Sequence, residues 1–155
     1  MRKPSTVKAA IAAAVVVMAA LTARLVTAAE DSREFVELPA MMQEHMLANM
    51  RDHLVTLDEI LAALAKDDAG TAAQAAENRL GMSSLSLHGA EHMAPFMPEE
   101  MAKIGTQMHR AASQFAIIVR DAELDPPGES KRKAYDALQA ITQNCVACHD
   151  AYRIR

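Results

Sequence analysis

Large side chains are scarce in this sequence of 155 residues, which has no tryptophan, three phenylalanines and two tyrosines. Clusters of β-branched residues are also rare, and no convincing segment alternates apolar and polar residues as a half-buried strand does. The composition therefore excludes a protein built mainly from sheets. It also leaves few large flat side chains with which to fill a hydrophobic core.

Basic charge is concentrated at the start of the chain. The first 29 residues hold four basic residues and no acid, and they contain an apolar run from Ala9 to Leu21 followed by small residues. This order is typical of a secretory signal peptide, and the run is shorter than the ~20 residues of a membrane span. We expect residues 1–29 to be a signal that is cleaved near Ala28 or Ala29. A retained N-terminal anchor is the alternative.

The predicted mature domain, residues 30–155, is acidic. Removal of the signal would leave 12 of the 16 basic residues against all 20 acidic ones, a formal charge of −8. This charge disfavours nucleic acid and anionic membranes as partners. The remaining length suits one domain. We therefore expect a soluble periplasmic domain with no membrane span after signal removal.

Four segments of this domain have apolar residues at spacings of three and four, which indicates amphipathic helices. They run from about 39 to 65, 71 to 88, 98 to 124 and 130 to 152, and glycine and proline residues separate them. Residues 92–98, with two prolines, are expected to form a loop. Short connections between successive helices predict an all-α fold, an antiparallel four-helix bundle.

Cysteine occurs at only two positions, both within the segment Cys145-Val146-Ala147-Cys148-His149. The pattern C-x-x-C-H is the attachment signature of c-type haem. On a helix, residues three and four apart share a face, so both thiols project to one side with His149 beside them. A structural zinc site would need two more ligands, and a thiol–disulfide pair would need a strand before the helix. We expect one covalently attached haem c, held by Cys145 and Cys148 and ligated by His149.

The segment from Cys145 to Arg153, which reads CVACHDAYR, resembles the C-terminal signature of cytochromes c′ and their low-spin relatives. The resemblance implies an exported four-helix bundle with the haem on its last helix. It assigns Cys145 and Cys148 to the thioether bonds and His149 to the proximal ligand. It further implies that the first helix supplies the distal side, with a methionine in low-spin members and an apolar residue in high-spin members that bind gases. A homodimer is possible by the same resemblance.

The first helix offers Met42, Met46 and Met50 at four-residue spacing. A methionine sulfur is an ordinary iron ligand opposite histidine. Met50-Arg51-Asp52 resembles the ligand segment of methionine-ligated relatives, so we favour Met50 as the second iron ligand. Met46, Met42 and His53 remain alternatives, because methionine also fills ordinary helical cores. Many cytochromes c′ have an arginine one turn before the distal position. Here a methionine stands there, so the haem propionates have no assigned partner.

A second histidine pair, His88 and His92, has the four-residue spacing that can bind a metal ion on a helix. Two residues do not complete a metal site, so we interpret this segment as the end of a helix with exposed histidines. His45 and His109 are interpreted as surface or boundary positions. Phe96 and Phe115 are expected in the core or against the haem.

No nucleophile with a base and no pocket with paired carboxylates is recognisable, so we do not expect an enzyme. The leading hypothesis is a periplasmic c-type cytochrome that carries single electrons between redox partner proteins through a haem ligated by His149 and Met50. The alternative is a five-coordinate haem protein that binds NO or CO. A copper-handling protein is a weaker third hypothesis.

Overall fold

The structure, a computed structural model, describes residues 30–155 except the side chains of Glu123 and Pro127. The predicted signal peptide therefore lies outside the described residues. Residues 33–155 form one compact unit. The described chain is mostly helical, which confirms the all-α class. Its α-helices are α1 (Ala40–Leu64), α2 (Ala69–Arg79), α3 (Ala90–Met93), α4 (Glu99–Asp121) and α5 (Pro127–Ala151).

Proline sets the start of each of the three long helices. Pro39, Pro98 and Pro126 immediately precede α1, α4 and α5, each with a φ between −53° and −54°. A proline at a helix start is favourable because its fixed φ is close to the helical value and the first amides need no intrahelical acceptor. The predicted bounds of these three helices agree with the structure to within a few residues.

The second predicted helix is shorter than expected, because α2 ends at Arg79 rather than near residue 88. The chain continues as a 3₁₀ turn, Met82–Ser84, and a bend. Ser84 explains part of the break, since its hydroxyl donates to the backbone oxygen of Gly81 at 2.7 Å and so competes with helical bonding. The expected loop at 92–98 is also partly helical, with α3 followed by a 3₁₀ turn, Ala94–Phe96.

Gly89 makes the entry into α3 possible. Its φ is +60°, in the left-handed region, and a Cβ built on it would lie 2.9 Å from Nε2 of His45. That imidazole approaches so closely because it bonds the backbone oxygen of His88 at 2.9 Å. Asn49 donates to the same oxygen, also at 2.9 Å. These bonds fix the 84–89 bend against α1.

Two very short strands join the ends of the described unit. The strands β1 (Glu34–Phe35) and β2 (Tyr152–Arg153) pair in parallel. The amide of Val36 extends the pairing by donating to the oxygen of Arg153 at 2.8 Å. The sequence analysis predicts no strand here, because two residues are too few to show a period. The pairing ties residues 33–38 to the end of α5.

The main hydrophobic core lies among α1, α2, α4 and α5 and is rich in alanine. Alanine is small, so helices that meet through it can approach closely. The core is completed by a few large side chains that are fully buried, namely Phe115, Ile60, Leu80 and Ile141. The buried alanines are Ala63, Ala72, Ala73, Ala76, Ala112, Ala116, Ala134 and Ala137.

A smaller second core lies where the two strands meet α1, α3 and α4. Val36, Leu38, Met93 and Met101 are buried there. Partly buried side chains pack against them, and these include Met42, Met46, Cys148 and Tyr152. This second core therefore brings the predicted haem-attachment segment next to the methionines of α1.

The two phenylalanines expected in the core differ in the structure. Phe115 is 0% exposed, as predicted, whereas Phe96 is 42% exposed, so the alternative that Phe96 packs in the core is wrong. Phe96 ends the 3₁₀ turn after α3, outside both cores.

The pair supplies a matched test of the core. We expect Phe115→Ala to lower the free energy of unfolding by about 3–5 kcal/mol, because it removes a buried ring and leaves a cavity. Phe96→Ala should change it by less than about 1 kcal/mol. Urea unfolding followed by circular dichroism measures both. Equal losses for the two variants would contradict the assignment of the core.

Candidate haem-attachment site

The C-x-x-C-H segment lies in the last two turns of α5. Cys145 and Cys148 are half-buried and His149 is exposed. The helix ends at Ala151, and Tyr152 is extended. The helical geometry therefore places both thiols toward the interior and leaves the imidazole at the edge of the cavity described next.

The two thiols are free and are not suited to redox exchange. Burial raises the pKa of the Cys145 thiol and of the Cys148 thiol. Disulfide oxidoreductases depend on a lowered thiol pKa, which gives a reactive thiolate at neutral pH. Within residues 30–155 these are the two cysteines, and they form no disulfide. The thiol–disulfide alternative therefore loses its electrostatic basis.

An apolar cavity of about 300 Å³ lies between α1, α4 and α5. Gly105 of α4 opens onto it, since a Cβ built on Gly105 would have no atom within 4 Å. A flat apolar group could therefore approach the backbone of α4 at this point. The side chains around the cavity include Met50, His53, Leu54, Leu57, Ile104, Met108, Cys145, Cys148 and His149.

Met50 is the side chain of α1 that is most consistently placed opposite the cysteines. It lines this cavity and two neighbouring cavities of about 270 and 130 Å³, and Cys148 lines all three. Met46 lines the cavities of about 270 and 130 Å³. His53 lines the cavities of about 300 and 130 Å³. Met42 packs in the second core instead. Among the predicted alternatives, Met50, Met46 and His53 thus share cavities with the cysteines.

By volume alone, a different cavity would be chosen as the candidate site. A larger cavity, of about 430 Å³, lies at the other end of the long helices, where Leu64, Val119 and Ser130 are among its lining residues. Among the residues of 30–155 that line it there is no cysteine, histidine or methionine. The cavity at the cysteines is the better candidate site because its walls carry sulfur and nitrogen ligands as well as apolar surface.

Three buried histidines lie beside the candidate site. The rings of His53 and His88 are 4.6 Å apart between centroids, those of His88 and His109 are 5.3 Å apart, and those of His53 and His109 are 6.0 Å apart. Each side chain belongs to a residue that is no more than 9% exposed. We call these residues the histidine cluster. The predicted surface position of His109 is therefore wrong.

Burial keeps the histidine cluster neutral. Desolvation lowers the pKa of His88 and of His109, and it lowers the pKa of His53 to about 4 with a further contribution from the two neighbouring imidazoles. Charging one ring is unfavourable in an apolar site and still more unfavourable beside a second charged ring. At neutral pH the cluster therefore adds no charge to the interior.

The hydrogen bonds of the cluster define two of its tautomers. Nδ1 of His109 lies 2.7 Å from the backbone oxygen of Leu80, which can only accept, so Nδ1 carries the proton. Ser84 already donates to Gly81 and can therefore only accept from Nδ1 of His88, 3.4 Å away. In these neutral rings Nε2 is then an unprotonated acceptor. Nε2 of His53 is buried without a hydrogen-bond partner.

The interpretation of His88 and His92 as exposed histidines is wrong for His88. His88 is buried in the histidine cluster, whereas His92 is exposed on α3. Within residues 30–155, no three histidine, cysteine, aspartate or glutamate side chains are grouped so that they could hold a metal ion by themselves. The burial of His109 could have been predicted from the sequence, because His109 lies at helical spacing from the apolar positions Ala112 and Ala116.

Two further findings bear on classification. Among the helices of the described residues, none combines the length and the apolar character that a membrane crossing requires. Comparison with models of protein families, with curated proteins and with solved structures finds no match to this chain. The site must therefore be interpreted from its own residues.

The neutral cluster predicts a pH dependence of stability. The pKa of His53 is near 6.5 in the unfolded chain and about 4 in the folded one, so the unfolded state takes up a proton first as the pH falls. We expect the free energy of unfolding to decrease from pH 6.5 downward, with His53 contributing about 3 kcal/mol of the loss by pH 4. Urea unfolding at a series of pH values measures this.

The matched variants are His53→Gln and His92→Gln. His53→Gln should reduce the decrease in the free energy of unfolding between pH 6.5 and 4. His92→Gln, at an exposed position, should leave this decrease unchanged. An identical pH profile in His53→Gln and the unaltered chain would show that His53 is not the neutral buried group described here.

Proposed function

We propose that this chain is an exported c-type cytochrome that transfers single electrons in the periplasm and is not an enzyme. The observation that carries the proposal is the position of Cys145, Cys148 and His149 at an apolar cavity whose opposite wall includes Met50. The sequence motif supplies the chemistry of attachment. The cavity supplies apolar space beside the motif.

The arrangement of the helices supports a four-helix bundle as the scaffold. The connections between the four longest helices are short except for the segment between α2 and α4. α1 packs on α2, α2 packs on α4, and α4 packs on α5. Successive helices joined by short connections in this way favour the antiparallel arrangement. α1 and α5 would then be neighbours across the cavity, as a haem between them requires.

The residues present fit the attachment of a c-type haem. The two thiols are one turn apart on α5 and unpaired. The surrounding wall is apolar, and Gly105 leaves open space beside α4. In this proposal Cys145 and Cys148 would hold the porphyrin by thioether bonds, and His149 would bind the iron through a ring nitrogen.

Met50 is our proposed second iron ligand. Its side chain is half-buried on α1 and lines every cavity described at Cys148. A thioether favours Fe(II) and raises the reduction potential relative to a second imidazole. Met46, one turn earlier, and His53, one turn later, are the alternatives that share these cavities.

A bound haem would supply reversible one-electron exchange between Fe(III) and Fe(II). The chain's own contribution would be to hold the side chains that bind the iron, to exclude water through the methionine-rich wall and to offer redox partner proteins a domain of net negative charge. Formation of a homodimer belongs to the same proposal.

One observation favours a second candidate function, the binding of NO or CO. The cavity of about 130 Å³ on the inner side of Met50 could hold a diatomic ligand, since a single water needs about 10–15 Å³ by a comparable measure. Its wall includes Met93, Met97 and the histidine cluster. If Met50 does not bind iron, this space would be open to a gas.

Attachment is tested by intact mass. We expect the exported product, made in a host competent for cytochrome maturation, to carry the mass of one haem and to lack residues 1–29. Cys145→Ala/Cys148→Ala should lack the added mass, because it has no thiol to form a thioether. An unaltered mature chain without the added mass would overturn the proposed function.

The iron ligand is tested by optical spectra of the haem-loaded protein. We expect the oxidised protein to show a sulfur-to-iron charge-transfer band, and Met50→Leu to lose it and to gain high-spin bands because the sixth ligand is gone. Met46→Leu, at the neighbouring turn of the same helix, is the matched control and should keep the band.

The outcomes separate the candidates. Loss of the band only in Met46→Leu would assign that residue instead. A spectrum without the band in which His53→Gln produces the change would assign His53. High-spin bands and a CO adduct in the unaltered protein would favour the gas-binding function over electron transfer.

A further inference from the structure

The cavity of about 130 Å³ is surrounded by sulfur and imidazole side chains. Its walls include all three residues of the histidine cluster and six of the eleven methionines of the sequence. These methionines are Met46, Met50, Met93, Met97, Met101 and Met108. Among residues 30–155, no aspartate or glutamate lines this cavity. Its ligand atoms are therefore neutral sulfur and nitrogen, which suit soft and borderline metal ions.

This cavity differs from the candidate haem-attachment cavity in the residues that could bind such an ion. His88, His109 and Met93 line it, and none of the three lines the cavity of about 300 Å³. Within the described chain, Cys145 and His149 line the cavity of about 300 Å³ and not this one. A ligand held by His88, His109 and Met93 would therefore use side chains that the proposed function leaves unassigned.

Two rings of the histidine cluster have hydrogen bonds of the kind that metal-binding imidazoles make. A metal-bound imidazole usually donates its second N–H to a backbone oxygen or a similar acceptor, which fixes its tautomer. Nδ1 of His109 lies 2.7 Å from the backbone oxygen of Leu80, and Nδ1 of His88 lies 3.4 Å from Oγ of Ser84. Each ring then has a lone pair at Nε2. The ring centres are 5.3 Å apart, close to the separation of about 5 Å for two imidazoles that each place a nitrogen about 2 Å from one ion.

His53 gives an independent indication that something binds here. The residue is only 9% exposed, and its Nε2 is buried without a hydrogen-bond partner. A buried polar atom without a partner costs roughly 1–3 kcal/mol, and native structures contain few of them. His53 lines the same cavity, and its ring centre is 4.6 Å from that of His88. An ion in this cavity could give the nitrogen of His53 a partner.

The types of side chain select the kind of ion. Within residues 30–155, no three histidine, cysteine, aspartate or glutamate side chains are grouped to hold a metal ion by themselves, which disfavours Zn²⁺ because it prefers four such ligands. Ca²⁺ and Mg²⁺ prefer carboxylates, which this wall does not provide among the described residues. Thioether sulfur selects Cu(I), and neutral imidazole also binds copper. A single positive charge is also less costly to bury than a double one.

We propose that the cavity of about 130 Å³ binds one Cu(I) ion through imidazole nitrogen of the histidine cluster, completed by the thioether sulfur of Met93. Met93 is 2% exposed, and it lines this cavity and not the two neighbouring ones. Binding leaves the oxidation state of the copper unchanged. The inference goes beyond the proposed function and does not require a haem, since its ligands are not those assigned to the iron.

The affinity for Cu(I) is measured by anaerobic equilibrium dialysis of the mature protein, as purified, against Cu(I) buffered with bicinchoninate. We expect one copper ion per chain at saturation. Met93→Leu and His88→Gln should each weaken the affinity at least about tenfold, because each removes a ligand atom. The matched controls are Met41→Leu and His92→Gln, at exposed positions outside this cavity, and both should bind as the unaltered chain does.

X-ray absorption at the copper edge identifies the ligand atoms. We expect both nitrogen and sulfur neighbours of copper in the unaltered chain, and fewer sulfur neighbours in Met93→Leu. A purely structural role for Met93 would lower the affinity without removing sulfur from the spectrum. Because the spectrum of the unaltered chain already tests for sulfur, the inference can be contradicted even if a variant does not fold.

Three results would overturn the inference. They are the absence of bound copper, an affinity that Met93→Leu and His88→Gln leave unchanged, and a copper spectrum without sulfur neighbours. Tighter binding of Zn²⁺ than of Cu(I) would also contradict it, since soft ligands would then not select the ion. The proposed function fails separately, because it requires the mass of a haem. A haem-free product that binds Cu(I) as described would overturn the proposed function alone.

Discussion

The distance between α1 and α5 is the constraint on which the candidate site depends. Alanines such as Ala112, Ala116, Ala134 and Ala137 let α4 and α5 pack closely, so the cysteine-bearing face of α5 is fixed relative to α4. Toward α1 the same face meets a cavity of about 300 Å³. A large flat apolar group bound there would cover these apolar side chains and supply contact area that the few aromatic side chains of the sequence do not.

The parts of the fold that follow from short sequence signals could be predicted. Prolines 39, 98 and 126 mark the starts of three helices, and apolar spacing gives their extents. The end of α2 could not be predicted from the apolar pattern alone, because the pattern continues through Leu80 and Leu85 while Gly81 and Ser84 break the backbone. The strand pairing could not be predicted either. It depends on residues 34–35 meeting residues 152–153, and neither segment has enough residues to show a period.

The candidate site likewise has parts that could be predicted from the sequence and parts that could not. Its cysteines and proximal histidine form a local motif, so their positions follow from the sequence. The histidine cluster is not local, since His53, His88 and His109 come from α1, the 84–89 bend and α4. The cluster is neutral because it is buried, and the common burial of these three side chains cannot be deduced from residue spacing. The hydrogen bond from Arg33 to the backbone oxygen of His149 is equally non-local, because 116 positions separate the two residues in the sequence.

In the proposed function, these features would all raise the reduction potential of the iron. A methionine ligand and a wall of neutral side chains would both disfavour the additional positive charge of Fe(III) relative to Fe(II). The histidine cluster joins this set because its protons are held by backbone and serine oxygens rather than by carboxylates. A buried aspartate in place of Ser84 would oppose the effect, because its negative charge would stabilise Fe(III) as well as a protonated imidazole. No aspartate or glutamate of residues 30–155 lines the cavities at Cys148, so in the proposed function no carboxylate of these walls would stabilise Fe(III).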